Sequence, residues 1–353
     1  MQWVHETQPQ RVRFATHQAT EALSAEVAAL GATRLMVIAS EREQEVATRI
    51  TGGLPVAVRH REVVMHVPVA VAERARGVAA DHDVDALVSV GGGSATGLAK
   101  AVALTTGLPL VAVPTTYAGS EATDVWGLTE DGRKTTGVDA RVLPRAIVYD
   151  ASLTLTLPVG LSVASGLNAL AHCVDSMWGP RADPVDLALA GEGIRALRLG
   201  LPRVVAHPTG LEGREQSLYG AYLAAVALTS AGSGLHHKVC HVLGGMFDLP
   251  HASTHAVVLP HVLALNGPHA PEAEQRIAAA LDAGTASAGL AALRAAVDAP
   301  TALRDLGMPE DGIGTAAEHV LAAVPPGNPA PVDLEVVTTL LRDAWDGREP
   351  RSR

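Results

Sequence analysis

Six of the chain's fifteen histidines fall between His236 and His261, in the segment GLHHKVCHVLGGMFDLPHASTHAVVLPH. Imidazole is the side chain that accepts a proton, donates one or holds a metal near neutral pH, so this density points to acid–base or metal chemistry. His237 and His241 are four apart, which puts them on one helix face, and His251 follows Pro250 at an expected helix start. His236, His255 and His261 are set aside as potential bystanders. A second stretch, GLNALAHCVD, places Asn168 and His172 at the same spacing of four. It reads as half a metal site in which a neutral amide stands where a metal would want a carboxylate. Cys173 and Cys240 neighbour His172 and His241, but adjacent helical residues point about 100° apart, so both are read as buried structural thiols.

A different chemistry is expected of SVGGGSATGLAK, Ser89 to Lys100. A buried strand enters three glycines and then Ser94, so bare backbone amides and a helix N-terminus can face a phosphate. Gly92, Gly93 and Ser94 are the candidates. The segment matches neither the G-x-G-x-x-G fingerprint nor a Walker A sequence, and a glycine-rich turn without a ligand is the plain alternative. VPTTYAGSE supplies a second strand end with Thr115, Thr116 and Tyr117. Ligands of open parallel sheets bind beyond the carboxyl ends of strands, so two such ends suggest one crevice for one dinucleotide. Hydrogen bonding of the threonines within their own turn is the alternative there. In EDGRKTTG, Arg133 and Lys134 follow a turn signal; a solvated hairpin competes with an anion contact, assigned to Lys134. Ser40 ends an earlier strand, and the acid after it, Glu41, would repel a 2′-phosphate and favour NADH.

The elements that must position these groups change character along the chain. Through residue 155, short β-branched runs alternate with helical patterns, the rhythm of parallel βαβ units. The strands are expected at RLMVIAS, PVAV, DALVSVGG, LPLVAVP and RAIVYD, with helices at EREQEVATRI, VAVAERARGVAADH and SATGLAKAVALTT. After Pro158 only helical spacing remains, and AAVPPGNPAPVD is irregular. The expectation is an α/β, Rossmann-like dinucleotide-binding domain with a parallel sheet over residues 1–155, followed by an all-α catalytic domain over 156–353.

With 27 basic against 37 acidic residues and a net charge of -10, the chain lacks a basic cluster able to neutralise a run of phosphates, which excludes nucleic acid as a partner. Two cysteines cannot frame a chain of 353 residues with disulfides, and the N-terminus MQWVHETQPQ has no secretory pattern. A cytoplasmic protein without a membrane partner is expected. The longest nearly apolar stretch, LYGAYLAAVALTSAG, is shorter than the roughly 20 residues of a bilayer span.

Taken in order, GGGSATGLAK, PTTYAGSE, LTLPVGLSVASGLNALAH and HHKVCHVLGGMFDLPH resemble the iron-containing alcohol dehydrogenase superfamily, and more closely its maleylacetate reductase branch. The likeness runs from RVRFATHQA to LLRDAWDG. In the metal-dependent members an aspartate and three histidines hold the ion; by motif those positions are Asn168, His172, His237 and His251 here, and His241 matches a further active-site histidine. The aspartate is replaced, which implies a member that keeps the histidines without the metal. The resemblance therefore implies a homodimeric, metal-independent reductase using NADH or NADPH on a small conjugated oxo-acid, maleylacetate giving 3-oxoadipate. Protonated histidines would stabilise the enolate oxygen that forms when hydride adds to the alkene, and His241 or His237 would deliver the proton. Two departures bear on the substrate: SEATD puts Asp124 where the branch has SEVTP, and NPAP puts Ala330 where it has NPRP. The competing readings are a metal-dependent dehydrogenase with Asn168 as a weak ligand, a biosynthetic relative acting on another carbonyl, and a catalytically silent nucleotide-binding protein.

Overall fold

In the computed structural model, residues 2–130 and 133–351 are described, the side chains of Arg133 and Lys134 excepted. The chain divides into two compact units, Gln8–Leu157 and Pro158–Arg353, with Met1–Thr7 joining the second. The sequence expectation kept those first residues with the α/β half.

The first unit runs β1 (Arg11–Phe14), α1 (Ala19–Leu30), β2 (Leu35–Ile38), α2 (Gln44–Ile50), β3 (Val56–His60), α3 (Val69–Asp81), β4 (Ala86–Gly91), α4 (Gly93–Thr106), β5 (Leu110–Pro114), β6 (Val125–Glu130), β7 (Arg133–Val138) and β8 (Ala146–Tyr149). Six strands form a parallel sheet in the order β1-β8-β5-β4-β2-β3. Its central strands are buried throughout and apolar apart from Ser89, because both faces are covered. Leu35 and Val37 of β2 pack with Leu23 of α1 and Ile50 of α2. Met36 and Ile38, pointing the other way, pack with Val71 of α3 and Leu98 of α4. Three strands lie outside the sequence expectation. The short edge strand β1 mixes arginine with apolar residues, which hides its pattern. The antiparallel β6–β7 pair contains the suspected hairpin but starts earlier, at Val125.

The second unit is helical: α5 (Val159–Ser176), α6 (Pro184–Ala206), α7 (Leu211–Ala231), α8 (Leu235–Phe247), α9 (His251–Asn266), α10 (Pro271–Ala280), α11 (Ala286–Ala296), α12 (Ile313–Ala323) and α13 (Leu334–Asp346). No strand is present in it among the described residues. Helices α8, α9, α12 and α13 share one core, in which Leu243, Val257, Val320 and Leu341 are buried. Helices α6 and α7 lie closer together than side chains normally permit. A Cβ on Gly200 would come within 2.8 Å of the Gly213 carbonyl oxygen, and one on Gly213 within 2.8 Å of the Val204 nitrogen. Backbone cannot yield as a side chain can, so the close packing depends on both glycines. Among the described residues no single helix is long and apolar enough to cross a membrane.

Gly200→Val should therefore destabilise the helical unit by at least about 1–3 kcal/mol, the usual range for overpacking. The check is the urea midpoint of far-UV circular dichroism; an unshifted midpoint would show that α6 and α7 separate freely.

Candidate active site

In the α/β unit the sheet order places the topological switch between β2 and β4, since the chain leaves β2 toward β3 and β4 toward β5. Ligands of open sheets bind beyond the carboxyl ends at such a point. Gly91 ends β4 with φ +146°, a conformation that side chains other than glycine rarely adopt. A Cβ on Gly92 would lie 2.9 Å from Thr116 Cγ2, so the ends of β4 and β5 meet here. Gly93 and Ser94 open α4, whose first amides have no acceptor within the helix. Thr115 is buried and Thr116 half-buried, while the Tyr117 side chain is wholly enclosed. Ser40 caps a short 3-10 turn and contacts the Glu43 carboxylate. Lys134 lies in β7, but its side chain, and with it the expected anion contact, is outside the described residues.

Two residues of this unit escaped the sequence reading. Glu43 rather than Glu41 borders the glycine turn, its Cδ 3.8 Å from a Cβ built on Gly91. Burial raises its carboxyl despite the opposing pull of Arg42. Lys100, at the end of the glycine motif, is fully buried and donates to the Thr123 carbonyl at 2.8 Å, the Thr123 hydroxyl at 2.9 Å and the Val125 carbonyl at 2.9 Å. Burial pushes the ammonium down to about 7, with Glu121 and Asp124 resisting. It fastens the segment after β5 to α4. Asp124, which stands where the branch has proline, thus lies within the electrostatic reach of Lys100.

The helical unit gathers the histidines. The His237 ring lies 5.1 Å from His172, 5.3 Å from His236, 6.1 Å from His241 and 5.0 Å from His255 between centroids. His255 is no bystander, for its ring is also 4.4 Å from His251 and 4.8 Å from His236. Its Nδ1 is 2.9 Å from His236 Nε2. His241 and His251 are exposed, whereas His172, His236, His237 and His255 are buried. His261 is buried among other partners and is pushed down to about 4 by burial and by Arg294. Cys173 and Cys240 are buried free thiols, raised by that burial, in keeping with a structural role.

A carboxylate absent from the expected set organises this cluster. Asp175, fully buried one turn after His172, holds His237 Nδ1 at 2.6 Å and the Gly234 amide at 2.7 Å on its Oδ2. Burial alone would raise its carboxyl, but these hydrogen bonds and the nearby histidines outweigh it and hold it at about 2. The pairing fixes the His237 tautomer and leaves Nε2 as the atom that takes or gives a proton. HCVD carries the signal, since Asp175 lies three after His172 on one helix face. Asn168 Oδ1, His172 Nδ1 and His237 Nε2 are buried and make no hydrogen bond among the described residues. Each such atom costs roughly 1–3 kcal/mol, which a polar ligand would recover.

The expectation that protonated histidines in general stabilise an oxyanion needs correction. Burial, with His237, His251 and His236 adding to it, pushes His172 well below 6.5, so it works as a neutral ring. Ala330, which stands where the branch has the arginine of NPRP, is 2% exposed in the core of α8, α9, α12 and α13. That placement gives no support to its being part of the carboxylate site.

Known proteins align over almost the whole chain. The profile described as "Iron-containing alcohol dehydrogenase" matches residues 9–151, and "Fe-containing alcohol dehydrogenase family, C-terminal" matches residues 162–345. A maleylacetate reductase of Sphingobium indicum is 44% identical over 353 residues, covering 99% of both chains. The crystal structure of an iron-containing alcohol dehydrogenase from Corynebacterium glutamicum superposes with TM-score 0.97 at 57% identity, covering 99% of this chain and 98% of that one. The crystal structure of a maleylacetate reductase from Agrobacterium tumefaciens gives 0.94 at 39%, covering 99% and 100%.

The buried rings set a pH dependence. Unfolded histidine takes a proton below about 6.5, whereas burial holds His236 at about 3 and His255, like His172, well below 6.5. The unfolded state then binds more protons, so stability rises with pH through this window. The contribution of these histidines to stability should be complete above about 6.5 and be lost steadily as the pH drops below that. Urea midpoints that stay level through that descent would contradict the neutral assignment.

Proposed function

The chain belongs to the iron-containing alcohol dehydrogenase family, and from that premise we propose that it is a reductase of a conjugated oxo-acid, maleylacetate giving 3-oxoadipate, working with NADH or NADPH and without a metal. The observation that carries the reading is the set of buried, unsatisfied polar atoms on Asn168, His172 and His237, backed by Asp175. It joins the full-length likeness to maleylacetate reductases. The glycine turn at Gly92, Gly93 and Ser94 would take the pyrophosphate, with Thr115 and Thr116 beside it. Glu43 next to that turn favours a free 2′-hydroxyl and hence NADH.

A reduced nicotinamide dinucleotide held at Gly92, Gly93 and Ser94 would supply the hydride for the alkene carbon furthest from the ketone. The electron pair of the double bond shifts to form an enolate at the ketone oxygen, and a proton then reaches the carbon next to the ketone. Neutral His172 and the Asn168 amide orient the oxygen, while His237 Nε2, fixed by Asp175, takes part in charge stabilisation or proton transfer. His241 and His251, the exposed members, are suited to exchanging protons with solvent.

The family name implies iron, and the donor set fits it poorly. Asn168 and the three histidines bring no negative charge, and hard or borderline cations favour sites where carboxylate helps. One observation favours the metal-dependent alternative: a carboxylate behind a histidine, as Asp175 stands behind His237, is also how metal ligands are oriented. Asp175 is committed to His237 and the Gly234 amide, so the cost of an uncompensated dication stands.

Freshly prepared maleylacetate should consume NADH, followed by nicotinamide absorbance, with little turnover of primary alcohols by NAD, and prolonged chelation should leave the rate unchanged. Ready reduction of aldehydes with every unsaturated oxo-acid inert would overturn the substrate, and loss of activity on chelation with recovery on adding iron or zinc would overturn metal independence. Asp175→Asn should lower kcat/KM about tenfold to a hundredfold, the loss expected of a charged hydrogen bond worth about 1.5–3 kcal/mol, at unchanged helix content. A rate within twofold of the parent would remove Asp175 from the mechanism.

A further inference from the structure

The first seven residues bring His5 to the start of α6. Its side chain is 9% exposed, with Nδ1 lying 2.8 Å from Asp183 Oδ2 and 3.7 Å from Asp186 Oδ1. Ser230 Oγ is 3.4 Å from the same nitrogen. Asp183 and Asp186 form the capping box of α6. Asp183 Oδ1 accepts from the Val185 amide at 2.7 Å and the Asp186 amide at 3.1 Å, and an Asp186 oxygen, Oδ2, accepts from the Asp183 amide at 3.3 Å. Each carboxylate thus spends one oxygen on the helix and turns the other toward His5.

The leftover oxygen of Asp186 is the telling one. Asp186 is 0% exposed, and its Oδ1 makes no hydrogen bond among the described residues. Burial raises this carboxyl, the Ser230 hydroxyl partly opposes the rise and the charge of Asp183 adds to it. Two carboxylates against one imidazole leave negative charge in a place with little water, which a dication would compensate. The chemistry of the donors selects the ion. One imidazole nitrogen with two carboxylate oxygens suits a borderline first-row dication such as Zn(II), with too few oxygens for Ca(II) and no sulfur for a soft ion. Ligand atoms about 2.0–2.1 Å from a tetrahedral ion lie roughly 3.3 Å from one another. The observed 2.8 and 3.7 Å bracket that spacing.

We propose that His5, Asp183 and Asp186, with the Ser230 hydroxyl as a fourth donor, form a binding site for Zn(II)-class dications that staples the N-terminal segment to α6 and shares no residue with the histidine cluster. It follows that metal found in the purified protein need not lie at the catalytic face.

The test uses the full chain without an N-terminal tag, stripped with chelator and titrated with Zn(II) by calorimetry, with Co(II) absorption as a second reading. One equivalent should bind, and the Co(II) spectrum should lack a thiolate charge-transfer band. His5→Ala should weaken binding by at least about tenfold. Asp186→Asn should do the same, as should Asp183→Asn, in which asparagine preserves the helix cap. Reductase activity should be unchanged in His5→Ala. Zn(II) binding that survives His5→Ala, that is lost instead in His237→Ala, or that is absent from the parent protein overturns the site.

Discussion

A carboxylate shut away from water must be surrounded by donors, and the way Asp175 meets that demand fixes the geometry of the helical unit's chemistry. It projects from α5 onto the N-terminus of α8, where the Gly234 amide at 2.7 Å supplies one hydrogen bond and His237 Nδ1 at 2.6 Å another. The positive end of the helix favours a negative charge there. Gly234 makes the approach possible, because a Cβ on it would lie 2.5 Å from an Asp175 oxygen. One contact therefore sets the docking of α8 and the tautomer and orientation of His237.

From that anchor the rest of the cluster follows by helix geometry. Helix α8 carries His236 and His237 in its first turn and His241 one turn on, and α9 presents His251 and His255 four apart. Four of these six rings, counting His172, are buried, so they cannot all carry charge at once. The structure instead divides the labour. His172, His236 and His255 are held neutral by burial, His237 is backed by a carboxylate, and His241 and His251 meet solvent. Separating carboxylate-backed, neutral and exposed imidazoles is what a reaction needs when one group must polarise an oxygen and another must deliver a proton.

How much of this could be read from the sequence depended on whether the signal was local. The strands around Leu35, Ala86 and Leu110 announce themselves because a sheet buried on both faces demands nearly continuous apolar runs, broken here only by Ser89. Gly92 and Thr116 are each legible from their own turns, and the structure brings them together where the ends of β4 and β5 meet. β1 was missed because arginines at Arg11 and Arg13 break its pattern, and they make sense only beside the buried Glu26. Asp175 escapes the sequence reading, and His255 is set aside by it, for a related reason. Each looks ordinary in its own helix and acquires a role only through a partner 19 or more residues away, His236 for His255 and His237 for Asp175.

The same logic separates the two places where carboxylate and histidine meet in the helical unit. At His237 the carboxylate has its donors and the ring's other nitrogen is left without one, so the unmet demand lies on the imidazole and calls for a proton or a polar oxygen. At His5 the unmet demand lies on a carboxylate oxygen of Asp186 and calls for a cation. Residue types alone would label both as potential metal sites. Which atom lacks a partner distinguishes them, because an orphaned acceptor and an orphaned imidazole nitrogen recover their desolvation cost from different ligands.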